Sequence, residues 1–195
     1  MKSTNSFIKK GKKAIQDDLR REFVLSSKDE TFMKLCARLK IDEKKVRLYF
    51  NLYMRVQFGI TSYLRDELQS SKVITGGLSM NLLDTEDYYV EVITASTEYP
   101  DYFIKRVKET FDERNINEED VIRKVNASVS NLIMYFDDIE VVNSQIQDDV
   151  IDFGEYMYNI YDVYKSLNIE EAREVVKRLN KHITTETIIK PLEEK

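Results

Sequence analysis

The chain has 195 residues, 42% of them apolar and 33% charged, with 12 Tyr and 9 Phe but only two Pro and five Gly. Such a composition excludes a disordered chain, and a single Cys excludes an internal disulfide framework. The formal charge of −5 hides a split: residues 1–72 carry 17 Lys and Arg against 9 Asp and Glu, whereas residues 73–195 carry 13 against 26.

In chain order, Ile8, Ile15, Leu19 and Phe23 recur at helical spacing and predict a first helix from about Ser6 to Val24. "LSSKDE" supplies a turn. A short second helix follows, capped by Thr31 or Asp29, with Phe32, Leu35, Cys36 and Leu39 inward. Asp42 caps a third, which buries Val46, Tyr49 and Phe50 and leaves Lys44, Lys45 and Arg47 on its other faces.

The helical pattern continues over Asn51–Gln69, through Leu52, Val56, Ile60, Leu64 and Leu68, with Gly59 as a place to bend. "SSKVITGGLS" reads as a loop. Helices are then expected over Asn81–Ala95, from Pro100 to about Asp112, and from an Asn117 cap through Val121, Val125, Leu132, Phe136 and Ile139. Two more follow over Asn143–Leu167 and Ile169–Lys181, and then "TTETIIKPLEEK" as a helical turn and a loose end.

"LKIDEKKV", "RNINEEDV" and "LNIEEAREV" share a shape but not a spacing, and read as three similar helix starts rather than repeats. No β-alternation stands out. The expected fold is all-α: a three-helix N-terminal domain over 1–50 and an antiparallel helical bundle over 51–195, about nine helices together.

Residues 31–50 fit two short helices joined by a tight turn, the unit that presents a second helix to the major groove of DNA. Leu35, Leu39, Ile41, Val46 and Phe50 would form its inner stripe, and Lys44, Lys45 and Arg47 its outer donors. The stretch resembles the N-terminal domain of the tetracycline-repressor family. Ile15 and Phe23 match its first helix and Thr31 the opening of its second; Leu35-Cys36 stand for Ile-Ala. Ile41-Asp42 stand for Val-Ser, and Val46, Tyr49 and Phe50 match the recognition helix. Lys40 and Lys44 stand where that family has glycines, and Arg47 where Tyr is common.

The resemblance implies a cytoplasmic homodimeric repressor on a double-stranded DNA operator, released by a small apolar effector. The DNA contacts would be Thr31, Lys44, Lys45, Arg47 and Tyr49. The effector pocket would draw on Tyr88, Tyr89, Tyr102, Phe103, Phe111, Tyr135 and Phe136. The dimer interface would use Phe153, Met157, Ile160, Tyr161, Tyr164, Val175 and Leu179. The competing reading is a helical protein-interaction module, an adaptor or inhibitor, acting through the acidic C-terminal part.

No enzyme activity, cofactor or metal is expected. Cys36 and His182 stand alone in their types and far apart. The acidic pairs Asp137–Asp138 and Asp148–Asp149 would diverge by about 100° on a helix. No apolar run approaches the roughly 18 residues of a membrane span, and the basic N-terminus lacks an apolar h-region.

Overall fold

A computed structural model describes residues 17–179 and 184–189. The elements run β1 (Asp17–Ser27), α1 (Glu30–Leu39), α2 (Glu43–Phe58), α3 (Tyr63–Ser70), β2 (Ile74–Asp84) and β3 (Tyr88–Thr97). After them come α4 (Pro100–Glu113), α5 (Glu118–Tyr135), α6 (Ile139–Phe153), α7 (Ile160–Lys165), α8 (Ile169–Val176) and β4 (Thr184–Ile189). The expectation of an all-α protein is therefore corrected. The strands form one four-stranded antiparallel sheet in the order β2-β3-β1-β4, beside eight helices among the described residues.

The errors have a common cause. A four-residue interval fits a strand's period of two as well as a helical turn, so Leu19 and Phe23 could not separate the two; β1 lies where the first helix was expected. The expected helix over Asn81–Ala95 is the β2–β3 hairpin, turning at Thr85–Asp87, where Tyr88 N–H donates to Thr85 Oγ1 at 3.0 Å. Its second strand, "YYVEVITAST", is rich in aromatic and β-branched residues. Tyr89, Glu91, Ile93, Ala95 and Thr97 alternate along it and are all buried. "ITGGLS" belongs to β2, whose pairing register shifts between Ile74 and Leu78. The tail read as a helical turn contributes β4. The expected helix over residues 6–16 lies outside the described residues.

Most helix starts stand where the sequence places them. Asp42, Asn117 and Asn168 each accept a bond from the backbone N–H three residues on: Lys45 at 2.8 Å, Asp120 at 2.8 Å and Glu171 at 2.9 Å. Pro100 opens α4. Asp29, not Thr31, caps α1, accepting from Phe32 N–H at 2.9 Å.

Two long helices expected as continuous are broken by glycine. Gly59 ends α2; a Cβ there would stand 2.3 Å from Arg55 O, closer than any side chain tolerates. Gly154 ends α6 at φ +74°, the left-handed geometry of a helix stop. Strand residues Ile74, Leu78, Tyr89, Ile93 and Ala95 share one core with residues of α1–α5 and α8. The expected division between residues 50 and 51 falls inside α2.

Candidate functional site

The α1–α2 hairpin that carries the repressor resemblance does exist. Lys40 closes α1 in the left-handed region at φ 55°, and its N–H and that of Ile41 bond back to Ala37 O and Cys36 O. What differs is the surroundings of the second helix. α2 runs for 16 residues, and its cations face the chain's own carboxylates. Lys44 Nζ pairs with Glu155 Oε1 at 2.7 Å and Lys45 Nζ with Glu171 Oε2 at 2.7 Å. Arg47 is half-buried, with its Nη1 fully enclosed. Tyr49 is fully buried, its hydroxyl donating to Glu171 Oε2 at 2.6 Å. Burial, then the bond to Glu171, raises the phenol's pKa. Burial also pushes the Glu171 carboxyl up, but bonds from Lys45, Tyr49 and Asn168 outweigh it and hold it below the usual range. Only Thr31 of the five expected DNA contacts is exposed. A groove-reading helix needs an open outer face, so the operator-binding assignment and its DNA partner are corrected.

The expected effector residues do not converge. Tyr89, Phe103 and Phe111 are core, whereas Tyr88 and Tyr102 are exposed. Tyr89 stacks obliquely on Phe32 and Phe50, at centroid distances of 5.8 and 5.1 Å. Tyr135 and Phe136 lie at the C-terminal end of α5 and line a cavity of about 210 Å³. Of the residues expected at a dimer interface, Val175 and Leu179 sit in the chain's own core. Met157, Ile160 and Tyr164 line the same cavity, and Tyr161 is exposed. The side chain of Phe153 lies outside the described residues, as does His182.

That cavity is walled by three helices and the segment after α6. Arg47, Leu48 and Asn51 wall it from α2, Ser128 and Leu132 from α5, and Gln145 and Asp149 from α6. Asp149 is 6% exposed. Its Oδ1 accepts from Gln145 Nε2 at 2.9 Å and its Oδ2 from Met157 N–H at 3.2 Å. The second bond depends on Gly154, whose turn brings residue 157 back over α6. Asp148, its neighbour, faces solvent. Gln145, Ser128 and Asn51 escaped the sequence reading because a lone polar residue in an apolar stripe has no distinctive spacing, and Asp149 entered it only as half of an adjacent acidic pair. Only the turn at Gly154 explains what Asp149 bonds to.

No group of His, Cys, Asp or Glu among the described residues could hold a metal ion. Cys36 is buried in the core, and burial, with Glu43 beside it, raises its thiol pKa. No helix among the described residues is long and apolar enough to cross a membrane.

No family model matches the chain, and no curated protein matches it. Solved structures do. A chain described as an M16-like peptidase, from Alicyclobacillus acidocaldarius, superposes with a TM-score of 0.73 at 14% identity. The match covers 92% of this chain and 42% of that one. The periplasmic protease PqqL from Escherichia coli gives 0.70 at 10% identity, over 93% of this chain and 20% of that one. A chain described as the inactive peptidase domain of a zinc protease from Bordetella parapertussis gives 0.69 at 12% identity, over 94% of this chain and 95% of that one. This chain thus spans less than half the length of the first two. The matched fold overturns the tetracycline-repressor resemblance, and with it the repressor, the interaction-module alternative and the expectation of a chain without an enzyme's fold. The zinc implied by such relatives does not fit these residues. The inverted zinc-peptidase motif H-x-x-E-H needs two histidines, and the sequence has one. In fold, the chain resembles domains of M16-type peptidases.

Proposed function

We propose that this chain is the half of a two-part M16-type peptidase that carries no metal, pairing with a zinc-bearing domain of the same fold and helping it enclose a peptide. The observation that carries the reading is the coincidence of a peptidase-domain fold with a sequence holding one histidine. The description of the Bordetella parapertussis domain as inactive supports it. So does the greater length of the first two relatives, which leaves room for a further domain.

The surface supports pairing as well. Ile133, Met134, Phe136 and Ile139 cluster around the α5–α6 turn and are all more than half exposed, Ile139 at 84%. Large apolar side chains exposed this close together in the chain suit an interaction surface. On this reading its occupant is the zinc-bearing domain. A cytoplasmic setting is compatible with the reading: the single cysteine is free and buried, so the fold uses no internal disulfide.

The test is peptide hydrolysis followed by mass spectrometry, with the chain alone and after mixing with a zinc-bearing M16-fold domain from the same cell. Cleavage only by the mixture, weakened by Ile139→Asp, is the expected result. Chelator-sensitive cleavage by this chain alone overturns the reading, as does a zinc-bearing domain whose activity the chain leaves unchanged.

A further inference from the structure

A crevice between α2 and α5 shares no residue with the apolar turn proposed for pairing. Arg55 follows Asn51 by four residues on α2, and Ser128 follows Lys124 by four on α5. Each helix therefore presents a polar stripe one turn long. The two stripes meet here, with Leu52, Val125 and the Tyr164 ring among the other walls, and no carboxylate among the described residues lines the space.

Its charge is of one sign. Lys124 is half-buried. Its Nζ donates to the Thr61 hydroxyl at 2.9 Å, where Arg123 Nη1 also donates at 3.1 Å, so two cations share one neutral acceptor. Burial first, then Arg123 and Arg55, lower the Lys124 pKa, and Asp120 opposes them. Asp120 is itself paired with Arg123 Nη2 at 2.5 Å. Burial raises the Tyr164 phenol pKa, and Arg55 works against that rise. Farther up α2, Lys44 and Lys45 are answered by Glu155 and Glu171. Among the described residues Arg55 has no such answer: its guanidinium, the Asn51 amide and the Ser128 and Tyr164 hydroxyls form no hydrogen bond or ion pair.

Two like charges in one crevice repel, and a dianion relieves both at once. A carboxylate neutralises only one. A phosphate monoester carries about −1.5 to −2 charges at pH 7 and three strong acceptor oxygens. That matches a guanidinium fork, an ammonium and two neutral donors.

We infer that this crevice binds a phosphate group, held by Arg55 and Lys124, with Asn51 and Ser128 donating to its oxygens.

The test is calorimetric titration of the intact chain, at low salt to limit screening, with inorganic phosphate, phenyl phosphate and acetate. Inorganic phosphate binds at one saturable site with a Kd of about 1 mM or tighter, and acetate binds at least about tenfold more weakly. Tighter binding of phenyl phosphate assigns the site to a phosphate ester; equal or tighter binding of the inorganic ion assigns it to free phosphate. Arg55→Gln and Lys124→Gln each weaken phosphate binding at least about tenfold. Lys34→Gln, at an exposed cation paired with Glu30 on α1, leaves it unchanged. Absence of saturable phosphate binding up to about 10 mM overturns the proposal. So does acetate binding as tightly as phosphate, full affinity in either folded crevice variant, or an equal loss in Lys34→Gln. Arg55 is exposed, so its variant tests the site even if Lys124→Gln fails to fold, and the comparison of phosphate with acetate needs no variant.

Discussion

Tyr49 and Glu171, 122 positions apart, are joined by a 2.6 Å hydrogen bond that ties α2 to α8. The same hydroxyl accepts from the Asn168 N–H at 3.1 Å, just before α8 begins, and Lys45 reaches Glu171 from the next face of α2. Removing the hydroxyl leaves the amide at residue 168 without its acceptor. Tyr49→Phe is expected to cost about 1–3 kcal/mol in urea unfolding, with little change in the denaturant slope. A loss below about 0.5 kcal/mol would show that the junction is held by apolar packing alone.

Glu91 supplies a pH dependence. It is 2% exposed on β3, between Tyr89 and Ile93. Burial pushes its carboxyl up to about 8, against partial relief from Arg55 and a backbone bond from Asn81. The unfolded chain releases this proton near 4.5, and the folded chain keeps it to about 8. Between those values the folded state binds more protons, so this group's contribution to stability falls as pH rises. At about 1.4 kcal/mol per pKa unit the loss is at most about 5 kcal/mol. Glu91→Gln should therefore stabilise the protein at about pH 8 and change little near pH 5. Equal effects at both values would place the ionised carboxylate in water.

Gly59 ends α2 where a Cβ would meet Arg55 O at 2.3 Å. Neither side of that contact is a flexible side chain. Gly59→Ala must shift the last turn of α2, which carries the buried Phe58. The expected cost is about 2–4 kcal/mol, read as a lower midpoint of thermal unfolding. An unchanged midpoint would mean that the α2–α3 corner yields freely.

The donor set gives an expectation about metal. With one histidine in the sequence and the cysteine buried, chelator and stoichiometric zinc should each leave the unfolding midpoint in place. A metal that binds only the folded form at 100 times its Kd adds about 2.7 kcal/mol, so tight binding could not pass unnoticed. A rise of that size on adding zinc would require donors beyond those seen among the described residues.

Helix starts were legible because a cap is a local device: Asp42, Asn117 and Pro100 each act within one turn. Strands were not. β1 pairs with β3 and β4, whose partners lie some 60 to 170 residues away in the chain, and nothing near Leu19 announces them. The hairpin at residues 74–97 carried a signal in its β-branched and aromatic content, but the four-residue spacing of its apolar residues also suited a helix. The repressor resemblance rested on a real helical hairpin with a left-handed turn at Lys40. What it could not reveal is that Glu155 and Glu171, remote in sequence, meet the lysines on its second helix. The cavity was half legible: Arg47, Tyr135, Phe136, Met157, Ile160 and Tyr164 were singled out, though for separate roles, while Asn51, Ser128 and Gln145 were not.

The sheet order also bears on how the chain matures during synthesis. β1 is made first and lies inside the sheet, between β3 and β4. Its partner residues run from Tyr88 to Thr97 on one side and from Thr184 to Ile189 on the other. A nascent chain emerging at about 5–20 residues per second holds β1 with both borders unsatisfied until β3 appears. The other border stays open until residues 184–189 have been translated. For that interval the newborn chain presents a ready template for foreign strands, and its yield should depend on chaperones and on the pace of the ribosome.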